Sequence, residues 1–161
     1  MPTLTREVAD LATRFAAYLQ HDLGLAKGER IVLQMPNLLQ YPVALFGALR
    51  AGLVVVNANP LYTAAELKAV VADAEPRAIV VLANFCDKLE KVLPGSTIEH
   101  VIITQVADLF PQPKRTIINF AAAKIKKMVP AYSIPGALSF RDAISADPAR
   151  FTDPGVTPDD V

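Results

Sequence analysis

Arg30-Ile31-Val32-Leu33-Gln34-Met35 decides the fold, because it reads as a short strand with a helix and a second strand directly after it. Its apolar residues are nearly continuous and β-branched at two positions, as in a strand covered on both faces. The run Pro36-Asn37-Leu38-Leu39-Gln40-Tyr41-Pro42-Val43-Ala44-Leu45-Phe46-Gly47-Ala48-Leu49-Arg50-Ala51-Gly52 then reads as a helix. Asn37 is its expected cap, with Gln40 three residues later as the reciprocal partner. Pro42 removes an N–H near the first turn and so blurs the start. After Gly52, the uninterrupted Leu53–Val56 predicts a strand buried on both faces.

The same alternation extends in both directions. Upstream, Val8, Leu11, Phe15 and Leu19 recur at intervals of three and four, an apolar stripe on a helix expected to start with Thr5 as its N-cap. Gly24 stops it, and Lys27-Gly28-Glu29 turns into the strand at Arg30. Downstream, Thr63-Ala64-Ala65-Glu66 has the form of a capping box opening a helix that ends near Glu75-Pro76. Ala78–Leu82 is a third strand, Asn84 the expected cap of a short helix, and His100–Thr104 a fourth strand. Strands alternating with helices predict an α/β fold, a parallel sheet with helices on both faces. Residues 1–106 form the expected α/β subdomain, 107–140 a basic amphipathic helical insertion, and 141–161 a linker rich in Pro, Asp and Thr.

The totals exclude several classes. The 161 residues allow one domain, and the formal net charge of +0 gives no electrostatic reason to expect nucleic acid. Hydrophobic residues make up 52% and mean hydropathy is +0.31, on the apolar side for a small domain that must cover its own surface. The single cysteine, Cys86, forbids an intramolecular disulfide and suits a reducing cytoplasm. No basic, then apolar, secretory leader is visible in Met1–Glu7. Gln40, Pro42 and Arg50 interrupt the apolar stretch from Leu38 to Val56, which therefore reads as helix, turn and strand and not as a membrane span.

Chemistry is sparse. A phosphate cradle needs clustered glycines after a strand, but the seven glycines are scattered at turns and Pro36-Asn37-Leu38-Leu39 holds none. His21 and His100 are far apart, whereas zinc requires three or four converging ligands. Cys86 has no base near it in sequence and is assigned to packing. Asn57 and Asn59 are assigned to turn backbone, with Pro60 stiffening the approach to the helix cap. A phospho-receiver domain would need acidic residues where the chain has Pro36-Asn37 and Asn57-Ala58-Asn59.

One segment suggests a partner. On a helix over Lys114–Val129, Ile117, Ala121, Ile125 and Met128 share a face, while Arg115, Asn119 and Lys126 point away. Lys114, Arg115, Lys124, Lys126 and Lys127 are positive, and no acidic residue lies between Asp108 and Asp142. An amphipathic basic helix suits an anionic membrane surface. Each base contributes about 1 kcal/mol, so five give at most roughly 5 kcal/mol and a reversible association. The alternative is an ordinary helix packed on the domain with a solvated basic face.

Taken in order, Lys27-Gly28-Glu29-Arg30, Met35-Pro36-Asn37, Leu49-Arg50-Ala51-Gly52, Asn59-Pro60-Leu61-Tyr62-Thr63, Asn84-Phe85 and Lys126-Lys127-Met128-Val129-Pro130-Ala131-Tyr132 resemble the N-terminal region of adenylate-forming enzymes, and within them the long-chain fatty-acid–CoA ligases. The resemblance covers nearly the whole chain. It implies ATP, Mg²⁺ and coenzyme A as cofactors of the whole enzyme and a long-chain fatty acid as its substrate. The single cysteine suits a cytoplasmic location, and the membrane reading of the basic helix adds peripheral contact at the inner membrane face. The family's Gly/Thr/Ser-rich loop, acidic nucleotide-binding residue and mobile-domain lysine have no matching positions. No catalytic, cofactor-binding or metal residue is therefore carried over. The chain reaches Thr157-Pro158-Asp159-Asp160-Val161 where such a ligase would approach its phosphate-binding loop, so an inactive N-terminal part is expected. The alternative from another class is a non-catalytic lipid-surface or partner-binding module.

Overall fold

The computed structural model describes residues 2–125 and 127–160. Their centre is a five-stranded, all-parallel sheet: β1 (Arg30–Gln34), β2 (Val54–Asn57), β3 (Ala78–Leu82), β4 (His100–Thr104) and β5 (Leu138–Ser139). The strand order is β2-β1-β3-β4-β5. The expected α/β class and its first four strands are therefore present. The fifth, a two-residue strand, carries too little periodicity to be seen in sequence.

Helices cover both faces, and strand alternation decides which side chains each face receives. On one face α1 (Pro2–His21), α2 (Gln40–Arg50) and α6 (Phe140–Ala143) pack against Ile31, Leu33, Val80, Leu82 and Ile102. On the other, α3 (Ala64–Ala74) and α4 (Cys86–Val92) pack against Val32, Ile79, Val81 and Val101. Every residue of β3 is buried, because it lies between two strands and two helical layers. β2 departs from expectation. Among the described residues it pairs only with β1, and Val54 is 44% exposed. An uninterrupted apolar run does not make a strand central; here the connection returns it to the sheet edge.

Helix ends were the least legible features. The capping box of α3 forms as expected, with the Thr63 hydroxyl accepting from the Glu66 N–H and the Glu66 carboxylate accepting from the Thr63 N–H. Thr5, however, lies inside α1, whose first described residue is Pro2, a residue preorganised for a first helical position. Asn37 does not cap α2 either. That helix begins after Leu39 without a side-chain cap, because Gln40 is turned into the core. Asn84 sits within a 3₁₀ turn, Ala83–Phe85, that runs directly into α4 and leaves no cap position for it.

Candidate functional site

The strand order places β2 and β3 on opposite sides of β1, so the chain reverses its winding at the C-terminal ends of β1 and β3. Ligands of open α/β sheets bind outside such ends. Three carboxamides gather along this rim. Gln40, fully buried, donates from Nε2 to the Gln105 carbonyl at 2.6 Å and thereby fastens α2 to the segment after β4. Asn84 donates from Nδ2 to the Met128 carbonyl at 3.0 Å. Gln34, the last residue of β1, is 0% exposed, and among the described residues neither its Oε1 nor its Nε2 has a partner. The opening beside the rim, about 540 Å³, is apolar and lined by Leu38, Leu39, Tyr41, Pro42 and Phe110. Its backbone holds no glycine and offers phosphate no close approach.

The chain after β4 is organised by Asp108. Its Oδ2 accepts from the buried Thr104 hydroxyl at 3.0 Å and from the Gln105 N–H at 2.8 Å, and its Oδ1 accepts from Asn119 Nδ2 at 3.4 Å. Asn119 Oδ1 in turn accepts from the Ala107 N–H at 2.9 Å. These bonds seat α5 (Lys114–Phe120) on the end of the sheet, and Asn119 is its inward anchor instead of an outward residue. Its position beside Ile118 and before the buried Ala122 was the available signal.

The expected helix to Val129 is also shorter. After α5 the chain makes a π-helical stretch, Ala121–Ile125, and Lys127 takes a left-handed φ of 48°. The Met128 N–H then donates back to the Ala122 carbonyl at 2.9 Å, one residue wider than the bond of a Schellman motif, as suits the end of a π-helical stretch. The outward surface carries Ile117 (63% exposed), Phe120 (58%) and, beyond the turn, Met128 (48%). The apolar side chains thus face outward together with bases, and it is a polar anchor that faces the domain.

The five bases separate. Arg115 and Lys124 line one cleft of about 670 Å³ between α5 and the β4–β5 edge. Lys114 is exposed at the start of α5, with Nζ 5.2 Å from the Phe110 ring centroid. Lys127 is exposed past the helical stretch, and Lys126 lies outside the described residues. Arg141, on α6, joins the same cleft and donates to the Asp108 carbonyl at 3.2 Å. Sequence reasoning missed Arg141, since only the return of β5 to the sheet brings it beside α5.

Other candidates are settled locally. Burial, with the charge of Asp87, pushes the Cys86 thiol up to about 12, so it holds no thiolate nucleophile near neutral pH. Asn59 Oδ1 accepts from the Leu61 N–H at 2.9 Å, as a turn residue does, while Asn57 Oδ1 accepts from the Tyr41 hydroxyl at 3.0 Å. Among the described residues no three His, Cys, Asp or Glu gather as a metal would need, and no helix is long and apolar enough to cross a membrane.

This parallel sheet with helices on both faces matches known proteins. The family of AMP-binding enzymes matches residues 5–160. The chain belongs to this family. The long-chain-fatty-acid–CoA ligase of Escherichia coli O6:H1 is 47% identical over 157 residues, 97% of this chain and 28% of that protein. The corresponding ligase of Salmonella typhimurium is 50% identical over 139 residues, 86% of this chain and 25% of that protein. Among solved structures, a benzoate CoA ligase from Burkholderia xenovorans LB400 superposes with a TM-score of 0.63 at 27% identity, over 87% of this chain and 22% of that one. This AMP-binding family chain thus spans about a quarter of the length of the relatives it matches.

Proposed function

We propose that this chain is the N-terminal α/β part of a long-chain fatty-acid–CoA ligase, which joins a fatty acid to coenzyme A with conversion of ATP to AMP and pyrophosphate. The observation carrying this is the 47% identity to such a ligase along 97% of the chain. Its own residues do not fit ATP or Mg²⁺. The rim lacks a glycine-rich loop, and no acidic cluster is present among the described residues. In the whole enzyme those groups would be held by the portion of the relatives that this chain does not span. The role of this part is scaffolding: a rigid sheet that presents its C-terminal rim. Palmitate-dependent ATP–pyrophosphate exchange should be undetectable with the purified 161-residue chain and present in the full-length ligase. Exchange by the short chain, or a full-length protein that activates only aromatic acids, overturns the proposal.

We further propose that residues 107–140 form a peripheral membrane contact at the inner face of a cytoplasmic membrane. Support comes from the outward placement of Ile117, Phe120 and Met128 beside exposed Lys114, Lys124 and Lys127. Replacing Lys114, Arg115, Lys124, Lys126 and Lys127 together by Gln should abolish binding to anionic liposomes; unchanged binding refutes it.

A further inference from the structure

We propose that the cleft between α5 and the β4–β5 edge is a phosphate site for the headgroup of an anionic phospholipid, held by Arg115, Lys124 and Arg141. This rests on the membrane-surface proposal and assigns it a specific pocket. The cleft has about 670 Å³, within the range of sites that enclose small ligands. Its three cationic side chains face a single carboxylate, Asp108. None of the three takes part in an ion pair among the described residues. Asp108 is 7% exposed, and its oxygens accept from the neutral donors of Thr104, Gln105 and Asn119 and form no ion pair with the three bases. Three cations without an ion-pair partner line one open cleft and together favour an anion there, and guanidinium groups hold phosphate by paired N–H donors.

The surroundings select the source of that phosphate. Phe120 lines the cleft and is also largely exposed, and Ile117 lies one turn away on the same outward surface. A free phosphate has no use for an apolar rim. A phospholipid does, because its acyl chains begin where its headgroup ends. Arg141 matters most to this assignment, since it comes from α6 and not from the basic segment, and a diffuse basic surface would not depend on it.

The test is partition of the full 161-residue chain onto phosphatidylcholine vesicles containing one quarter phosphatidylglycerol. Arg141→Gln should weaken partition about tenfold, more than the loss of one screened surface charge. Arg141→Lys, which retains the charge without the planar fork, should weaken it about threefold. Lys91→Gln, exposed on α4, should change nothing. Equal thermal unfolding of each variant establishes that the fold is kept, and Lys124→Gln provides a second, exposed probe of the cleft. Vesicle binding that survives both Arg141→Gln and Lys124→Gln overturns the cleft while leaving the membrane contact standing. A wild-type chain that does not adsorb overturns both. Saturable, Arg141-dependent binding of inorganic phosphate without vesicle adsorption overturns the lipid as the source.

Discussion

Gly47→Ala should destabilise the protein even though it places a better helix former inside a helix. Gly47 lies on α2 where that helix crosses α1. A Cβ built there would stand 2.7 Å from Phe15 Cδ1, 2.9 Å from the Ala12 carbonyl oxygen and 3.0 Å from Phe15 Cβ. Carbon atoms attract best at about 3.5–4.0 Å, so all three contacts are repulsive. Two of them involve atoms that side-chain rotation cannot remove, a backbone oxygen and a Cβ. Overpacking costs about 1–3 kcal/mol, and the crossing belongs in the upper half of that range. The gain in helix propensity offsets about 1 kcal/mol. The net loss is about 1–2 kcal/mol, or about 3–6 °C in Tm for a chain of this size. Thermal and urea unfolding followed by circular dichroism would measure it. Phe15→Ala alone should cost about 3–5 kcal/mol, because Phe15 is fully buried and packs 5.2 Å from the Phe140 ring. With the ring gone, the closest of the three contacts disappears and the new methyl group enters the vacated space. The double variant should therefore be less destabilised than the sum of the singles by about 1 kcal/mol or more. A higher Tm for Gly47→Ala, or strict additivity in the double variant, refutes this account of the α1–α2 crossing.

Gln34 is fully buried with both polar atoms unpartnered, so Gln34→Met, similar in volume and without the amide, should raise stability by about 1–2 kcal/mol. A lower Tm for that variant refutes the reading of the buried amide as an uncompensated cost. Cys86 should resist alkylation by iodoacetamide in the native protein and react once urea unfolds it, with equal rates in both states refuting its burial. Its pH dependence has a definite sign. The thiol rises from 9.0 to about 12 on folding, so its contribution is fully present below about pH 9 and is lost as pH rises from there through the folded value. Unfolding midpoints that increase between pH 9 and 11 would contradict the buried, neutral thiol.

Local chemistry was sufficient wherever a feature depended on neighbours in sequence. The apolar runs at 31–33 and 78–82 made strands because the faces of a buried strand are mostly apolar. Thr63 and Glu66 made a capping box because donor and acceptor are three residues apart on one turn. The α/β class followed from the alternation of those elements. Lateral order did not follow. Nothing in Leu53–Val56 distinguishes an edge strand from a central one, since the difference lies in which strand pairs beside it. Caps at Thr5, Asn37 and Asn84 failed for the same reason: a polar side chain in capping position is overruled when packing starts the helix elsewhere. The basic segment shows the division most clearly. Its composition marked a segment both basic and apolar, but the periodicity of a straight helix placed Asn119 outward, where the structure turns it inward. The π-helical stretch, the left-handed Lys127 and the Asn119–Asp108 bonds turned Ile117 and Phe120 outward. Arg141 comes within reach of Arg115 and Lys124 only because β5 returns to the sheet beside β4, a long-range pairing whose energy is in tertiary contacts and leaves no local pattern in the chain.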